Sequence, residues 1–134
     1  MSKQASNSKP QVRAPRVSHE SRPFWDATAE GKLLVKKCNA CGENHFYPRP
    51  FCPFCFSDDT EFLTCSGRGV IYTYSVTRRT SEPWAIAYVT LEEGPTMMTN
   101  IIDCDFDALS IGQAVEVAFV DTGEGNALPF FRPV

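Results

Sequence analysis

A chain of 134 residues with a formal net charge of −3, 43% apolar residues and 12% aromatics holds one ordinary domain or two small ones and can support a folded core. It contains no run of about 18 apolar residues, so no membrane span is expected. Charge is uneven: residues 1–69 carry ten Lys and Arg against seven Asp and Glu, and residues 70–134 carry three against nine. The acidic C-terminal half repels a phosphate backbone, so nucleic acid is not the expected partner.

Residues 1–20 are rich in Ser, Lys, Gln, Arg and Pro, with Val12 and Val17 as the only sizeable apolar residues. This composition predicts a flexible arm unless a partner holds it. Ser21 as N-cap, Pro23 in the first turn and Gly31 as the stop predict a short helix over 22–30. Two turns of helix are not stable alone. Its large apolar residues, Phe24 and Trp25, must therefore pack on the body of the protein or anchor another chain, and the sequence leaves both open. Leu33 to Lys37 then reads as a strand.

Cys38-Asn-Ala-Cys41 and Cys52-Pro-Phe-Cys55 follow, two CxxC pairs separated by ten residues. Each pair can turn a tight knuckle that aims both sulfurs at one point, and four thiolates there close a tetrahedral shell around structural zinc. Cys38, Cys41, Cys52 and Cys55 are the predicted metal ligands. Iron in a rubredoxin-like arrangement satisfies the same thiolates. A thioredoxin-like redox pair needs a strand-helix-strand frame that is missing around Cys52. Disulfides fit poorly with a chain that starts without an apolar secretory segment, which points to a reducing, cytoplasmic setting. His45 lies between the knuckles and is a minority candidate for a ligand; packing with Phe46 and Tyr47 is the expectation. Cys65 and Cys104 lack paired spacing and read as ordinary buried thiols. A ribbon this small cannot fold on apolar burial alone, so the metal must supply much of its stability.

Thr60 to Cys65 reads as the strand leaving the second knuckle. Beyond the Ser66-Gly-Arg-Gly69 turn the pattern alternates, with Val70, Tyr72, Tyr74 and Val76 on one face and Ile71, Thr73, Ser75 and Thr77 on the other. Trp84 to Leu91, Thr96 to Ile102, Ala114 to Val120 and Leu128 to Arg132 complete five short strands. Five strands without a long helix predict a small antiparallel barrel, with the OB-fold as the candidate. The fold class is thus mainly β: an N-terminal helix, a rubredoxin-like zinc ribbon and a five-stranded OB barrel. The expected division is an arm over 1–20, helix and ribbon over 21–66, and barrel over 67–134.

Other signals dissolve into structure. Gly67-Arg-Gly69 is too short for a phosphate loop and lacks the strand-loop-helix frame. Asp103-x-Asp105-x-Asp107 has the opening spacing of a calcium loop, but Ala108 and Ala114 stand where glycine and glutamate are required, so it reads as a solvated loop. Two histidines, His19 in the arm and His45 beside a knuckle, do not suggest a nucleophilic triad. No catalytic residue is predicted, and no cofactor-contacting residue is assigned beyond the metal cysteines.

The ordered set Pro23-Phe-Trp-Asp, Gly31-Lys-Leu, Cys38-x-x-Cys41-Gly, Tyr47-Pro-Arg, Cys52-Pro-x-Cys55, Ser66-Gly-Arg-Gly69-Val, Leu91-x-Glu-Gly94 and Ile111-Gly112-Gln-x-Val115 resembles a bacterial and archaeal family of small zinc-ribbon plus OB-fold proteins associated with acyl-CoA metabolism. The resemblance covers about residues 21–134. It implies a small subunit that works beside thiolase-like enzymes, such as steroid side-chain aldolases, acetoacetyl-CoA thiolase with hydroxymethylglutaryl-CoA synthase, or phloroglucinol acetyltransferase. It carries the four cysteines over as zinc ligands. Phe56 departs from the family pattern, where glycine often follows the second knuckle. The function so implied is that of a non-catalytic accessory subunit in a hetero-oligomer, completing the acyl-CoA site of a thiolase, aldolase or acyltransferase. Phe24, Trp25, Phe46, Tyr47 and Phe51 would supply the wall of that site, with acyl-CoA as a shared ligand. The alternatives are a nucleic-acid-binding module and a stand-alone acyl-CoA-binding protein or acyltransferase.

Overall fold

The computed structural model describes residues 12–134. Helix α1 (Arg22–Thr28) precedes a three-stranded sheet of β1 (Leu34–Cys38), β2 (Asn44–His45) and β3 (Thr60–Thr64) in the order β2-β1-β3. A closed barrel follows, built from β4 (Arg68–Thr77), β5 (Trp84–Leu91), β6 (Thr96–Ile101), β7 (Ala114–Asp121) and β8 (Ala127–Pro133) in the order β4-β5-β6-β8-β7. Antiparallel pairing of β4 with β7 through Arg68↔Glu116 and its neighbours closes the ring. The mainly β class, the one short α-helix among the described residues and the five-stranded barrel agree with the sequence expectation.

The helix is stopped earlier than its sequence suggests. Ser21 takes a helical conformation and makes no side-chain cap; its hydroxyl lies 2.9 Å from that of Ser18 instead. At the other end the Thr28 hydroxyl donates to the Trp25 carbonyl at 2.6 Å and accepts from the Ala127 N–H at 3.0 Å. One buried hydroxyl thus ends the helix and ties it to the start of β8. Phe24 is fully buried and Trp25 nearly so, which places both in the core and decides the question the sequence left open. They share a cluster with Leu33, Val35, Ile71, Val89, Val115 and Phe131, so helix, ribbon and barrel meet in one apolar core.

The arm reading changes where it can be checked. Residues 1–11 lie outside the described residues, but Val17 packs against the main core and Val12 against Ile102, Ala118 and Val120. Residues 12–17 are thus held to the body at two points, Val12 on the small cluster of Ile102, Ala118 and Val120 and Val17 on the main core. Two isolated valines carry no periodicity, and only the tertiary fold gives them a surface to cover.

The alternation in β4 is broken by a bulge. Ile71 pairs with Val89 and Thr73 with Tyr88, leaving Tyr72 as the extra residue. Val70 and Tyr72 therefore face outward while Tyr74 and Val76 turn inward with Ile71, splitting the set expected on one face. Gly69 sits where a Cβ would meet the Thr90 carbonyl oxygen at 2.5 Å, so β4 and β5 approach there only because the side chain is absent. Gly67, at φ +85, presents its carbonyl to the Val117 N–H at 2.7 Å and leaves no room beside the Val117 side chain. The Gly-Arg-Gly segment is a barrel-closing device.

Candidate functional site: metal knuckles and an apolar recess

Each CxxC segment turns a knuckle of the same form. The Gly42 N–H donates to the Cys38 carbonyl at 2.9 Å, and the Phe56 N–H donates to the Cys52 carbonyl at 2.8 Å. Amides also point at sulfur: Cys41 N–H to Cys38 Sγ at 3.5 Å and Phe54 N–H to Cys52 Sγ at 3.4 Å. The four sulfurs lie within 4.8 Å of one another, with Cys38 to Cys55 at 3.6 Å and Cys41 to Cys52 at 3.7 Å. A tetrahedral ion with metal–sulfur bonds of about 2.3 Å needs sulfurs about 3.75 Å apart. The cluster fits such an ion.

Without a cation the same crowding is self-opposing. The Cys41 amide draws the Cys38 thiol down to about 7. Cys41 is pushed up to about 12: the Glu43 amide favours its thiolate, but burial and the neighbouring sulfurs outweigh it. Cys55 is raised in the same way against the pull of the Ser57 amide. Sulfurs this close cannot all be anionic unless a cation sits among them. The donor set is soft and leaves no carboxylate, imidazole or open position, which suits a structural centre.

His45 stays out of the cluster. It pairs across from Lys36 on β2, is buried, and both ring nitrogens lack hydrogen-bond partners among the described residues. Burial, with Lys36 and Arg49 nearby, holds its imidazole below the usual range. Cys65 is raised to about 12 by burial and by the Glu93 carboxylate beside it, as an inert core thiol should be. Asp105 caps the turn of 3₁₀-helix over Phe106–Ala108, and Asp107 pairs with Arg78 at 2.7 Å, so two carboxylates of the Asp-rich loop have structural partners.

The second feature lies where helix and ribbon meet the barrel, and sequence reasoning located only its aromatic side. β8 pairs with β6 at a single position, Ile101↔Phe131, because Pro129 has no N–H to offer. The Thr99 hydroxyl bridges the gap by donating to the Pro129 carbonyl at 2.8 Å. Along this loosely paired seam a recess of about 200 Å³ opens between Met97, Met98, Leu128 and Phe130 on the barrel and Trp25 and Tyr47 on the other side. Trp25 Nε1 donates to the Tyr47 hydroxyl at 2.7 Å, and edge contacts among Phe24, Phe46 and Tyr47 hold the aromatic wall. No carboxylate, imidazole, amine or thiol lines the recess; its polar side chains are those of Trp25, Tyr47, Thr99 and Asn100. Phe51, by contrast, is exposed on the ribbon and does not line it. No helix of the described residues is long and apolar enough to cross a membrane.

Fold and site together define a four-cysteine zinc ribbon fused to an OB barrel. Residues 25–61 match the rubredoxin-like zinc ribbon domain of ChsH2, and residues 64–120 match the ChsH2 C-terminal OB-fold domain. A DUF35 domain-containing scaffold protein of Methanothermobacter thermautotrophicus is 39% identical over 75% of this chain and 86% of its own. The chain belongs to this DUF35 family of zinc-ribbon and OB-fold proteins. A probable enoyl-CoA hydratase alpha subunit of Thermomonospora curvata is 30% identical over 93% of this chain, which spans 41% of that longer relative. Benzoylsuccinyl-CoA thiolase subunit BbsA of Thauera aromatica is 28% identical, with 69% of each chain covered. Among solved structures, the Ltp2-ChsH2(DUF35) aldolase superposes with a TM-score of 0.79 at 28% identity, covering 90% of this chain and 98% of that one.

Proposed function

We propose that this protein is a zinc-stabilised, non-catalytic accessory subunit that joins a thiolase-like enzyme and completes its acyl-CoA site. Zinc held by Cys38, Cys41, Cys52 and Cys55 fixes the ribbon; it supplies rigidity and no reacting position. The observation that carries the reading is the recess. It is apolar, held by aromatics locked in mutual contact, and lined by no carboxylate, imidazole, amine or thiol, its one phenol, Tyr47, being engaged by Trp25. Such a wall can receive part of an acyl or pantetheine chain at little ordering cost, while the reacting groups come from a partner. The names of the relatives, which include a thiolase subunit and a two-component aldolase, agree with that division of labour.

One observation favours a different reading. Tyr72 and Tyr88 are exposed on the barrel, as stacking platforms in OB folds that hold single strands are. That mode also needs a basic groove, and the strand segments bearing these tyrosines contain no Lys or Arg beyond Arg68 at the start of β4. Co-expression with a thiolase-like subunit from the same organism tests the proposal. Co-elution and a gain in acyl-CoA turnover over the larger subunit alone are expected. A titration with single-stranded nucleic acid that showed tight, salt-dependent binding would reverse the ranking.

A further inference from the structure

The two outer walls of the barrel are treated differently by the chain. Over β7 the chain covers itself: Val12 packs on Ala118 and Val120, and what remains outside on β7 and β8 carries the Glu116–Arg132 pair. Over β4, β5 and β6 the described residues cover little. From Val70 to the end of β4, and throughout β5 and β6, no residue is charged. The register sets Thr73, Tyr88 and Met98 side by side, with the bulge turning Tyr72 out next to them and Val70, Thr90 and Thr96 forming the next row. Tyr72 is 66% exposed, Met98 57% and Tyr88 45%.

We infer that this uncharged sheet face is the surface on which the larger thiolase-like subunit docks, so that docking also closes the recess. The inference rests on the accessory-subunit reading and deepens it. Two observations mark the face as a docking surface and a third ties it to that occupant. The first is area: with aromatic side chains offering about 150–250 Å² each, Val70, Tyr72, Trp84, Tyr88 and Met98 expose on the order of 500 Å² together. A standard interface takes about 800 Å² from each partner, so the face and its flanking hydroxyls form most of one. The second is charge. The barrel half carries nine acidic residues against three basic, yet this wall has none, which is the depletion of charge and enrichment in Tyr, Trp and Met that marks the centre of an interface. The third is continuity: Met98, Ile86 and Asn100 belong both to this face and to the lining of the recess, so a subunit seated here reaches its mouth.

The test uses the full chain co-expressed with the thiolase-like subunit and three variants: Tyr88→Arg and Met98→Glu on the face, and Phe56→Glu on the exposed second knuckle. Zinc content and far-UV circular dichroism establish that each is folded. Tyr88→Arg and Met98→Glu should weaken association more than about tenfold. Phe56→Glu should leave it unchanged. Face variants that associate like the wild type would sink the docking assignment while leaving the accessory reading intact. A wild-type chain that forms a dimer by itself, dissociated by Tyr88→Arg, would give the face to a second copy and overturn the inference. If the wild type does not associate with the larger subunit at all, both readings fall.

Discussion

The ribbon and the barrel solve the same problem, how a small sheet stays folded, by different chemistry. In the barrel each strand sends side chains into a shared apolar interior, where Ile71, Val89, Val115 and Phe131 are buried. In the ribbon β3 has no buried residue at all, and the fully buried side chains near the knuckles are Cys38 and Cys52. The barrel rests on hydrophobic area and the ribbon on coordination. Both are fastened at one junction, by Phe24 and Trp25 in the core and by the Asn44 side-chain amide donating to the Glu93 carbonyl at 2.9 Å. The difference teaches where rigidity is placed: the metal stiffens the side of the recess that has little core of its own.

Removing the metal is the strongest way to break that comparison. Structural zinc contributes on the order of 10 kcal/mol in small ribbons. Chelation or Cys52→Ser should therefore abolish amide-exchange protection across residues 34–64 while β4 to β8 keep theirs. Loss of protection throughout the chain would show that the shared core makes the two regions one cooperative unit. Truncation at the junction comes next: Phe24→Ala should cost about 3–5 kcal/mol in urea unfolding, as should Phe131→Ala within the barrel. Phe24→Ala should also disturb the Trp25–Tyr47 wall, read as a change in tryptophan fluorescence, and Phe131→Ala should not. A smaller effect is expected at the helix stop, where Thr28→Val leaves the Ala127 N–H unpaired, for about 1–3 kcal/mol.

The smallest effect is a pH dependence at His45. Its folded imidazole is held below the ordinary value by burial, with Lys36 and Arg49 adding to it, so the unfolded chain binds the proton more readily. Stability is then full above the unfolded value of about 6.5 and declines as pH falls below it, until the folded group also titrates. The zinc-loaded wild type should lose more stability than His45→Phe when urea midpoints at about pH 7.5 and pH 5.5 are compared. Equal losses would exclude a contribution from the imidazole.

Much of this was legible in the residues because the signals are local. Two CxxC pairs define knuckles by their spacing, and the strands over 84–91, 96–101 and 114–121 lie close to where alternation and turns place them. The misreadings share a cause. Tyr72 looks like a member of one face until pairing with β5 inserts a bulge, Ser21 looks like a cap until Ser18 takes its hydroxyl, and Val12 and Val17 look like loose apolar residues until the folded body lies beneath them. β2, only two residues long, has no period to detect. The recess was half visible, since Trp25, Phe46 and Tyr47 were singled out as wall residues, but its barrel side depends on Pro129 loosening a seam between strands distant in sequence.

The amino-acid sequence by itself determined the two thiol knuckles, the number of barrel strands and the aromatic character of the N-terminal half, because thiol spacing, two-residue alternation and turn glycines act within a few residues of one another. Only the tertiary structure decided that Phe24 and Trp25 face inward, that Val12 packs on β7 while the described residues leave the β4–β6 wall exposed, and that a recess opens where helix and ribbon meet the barrel. Those outcomes depend on which surfaces meet across the whole chain, and burial of apolar area has no address in the sequence until the strands have paired.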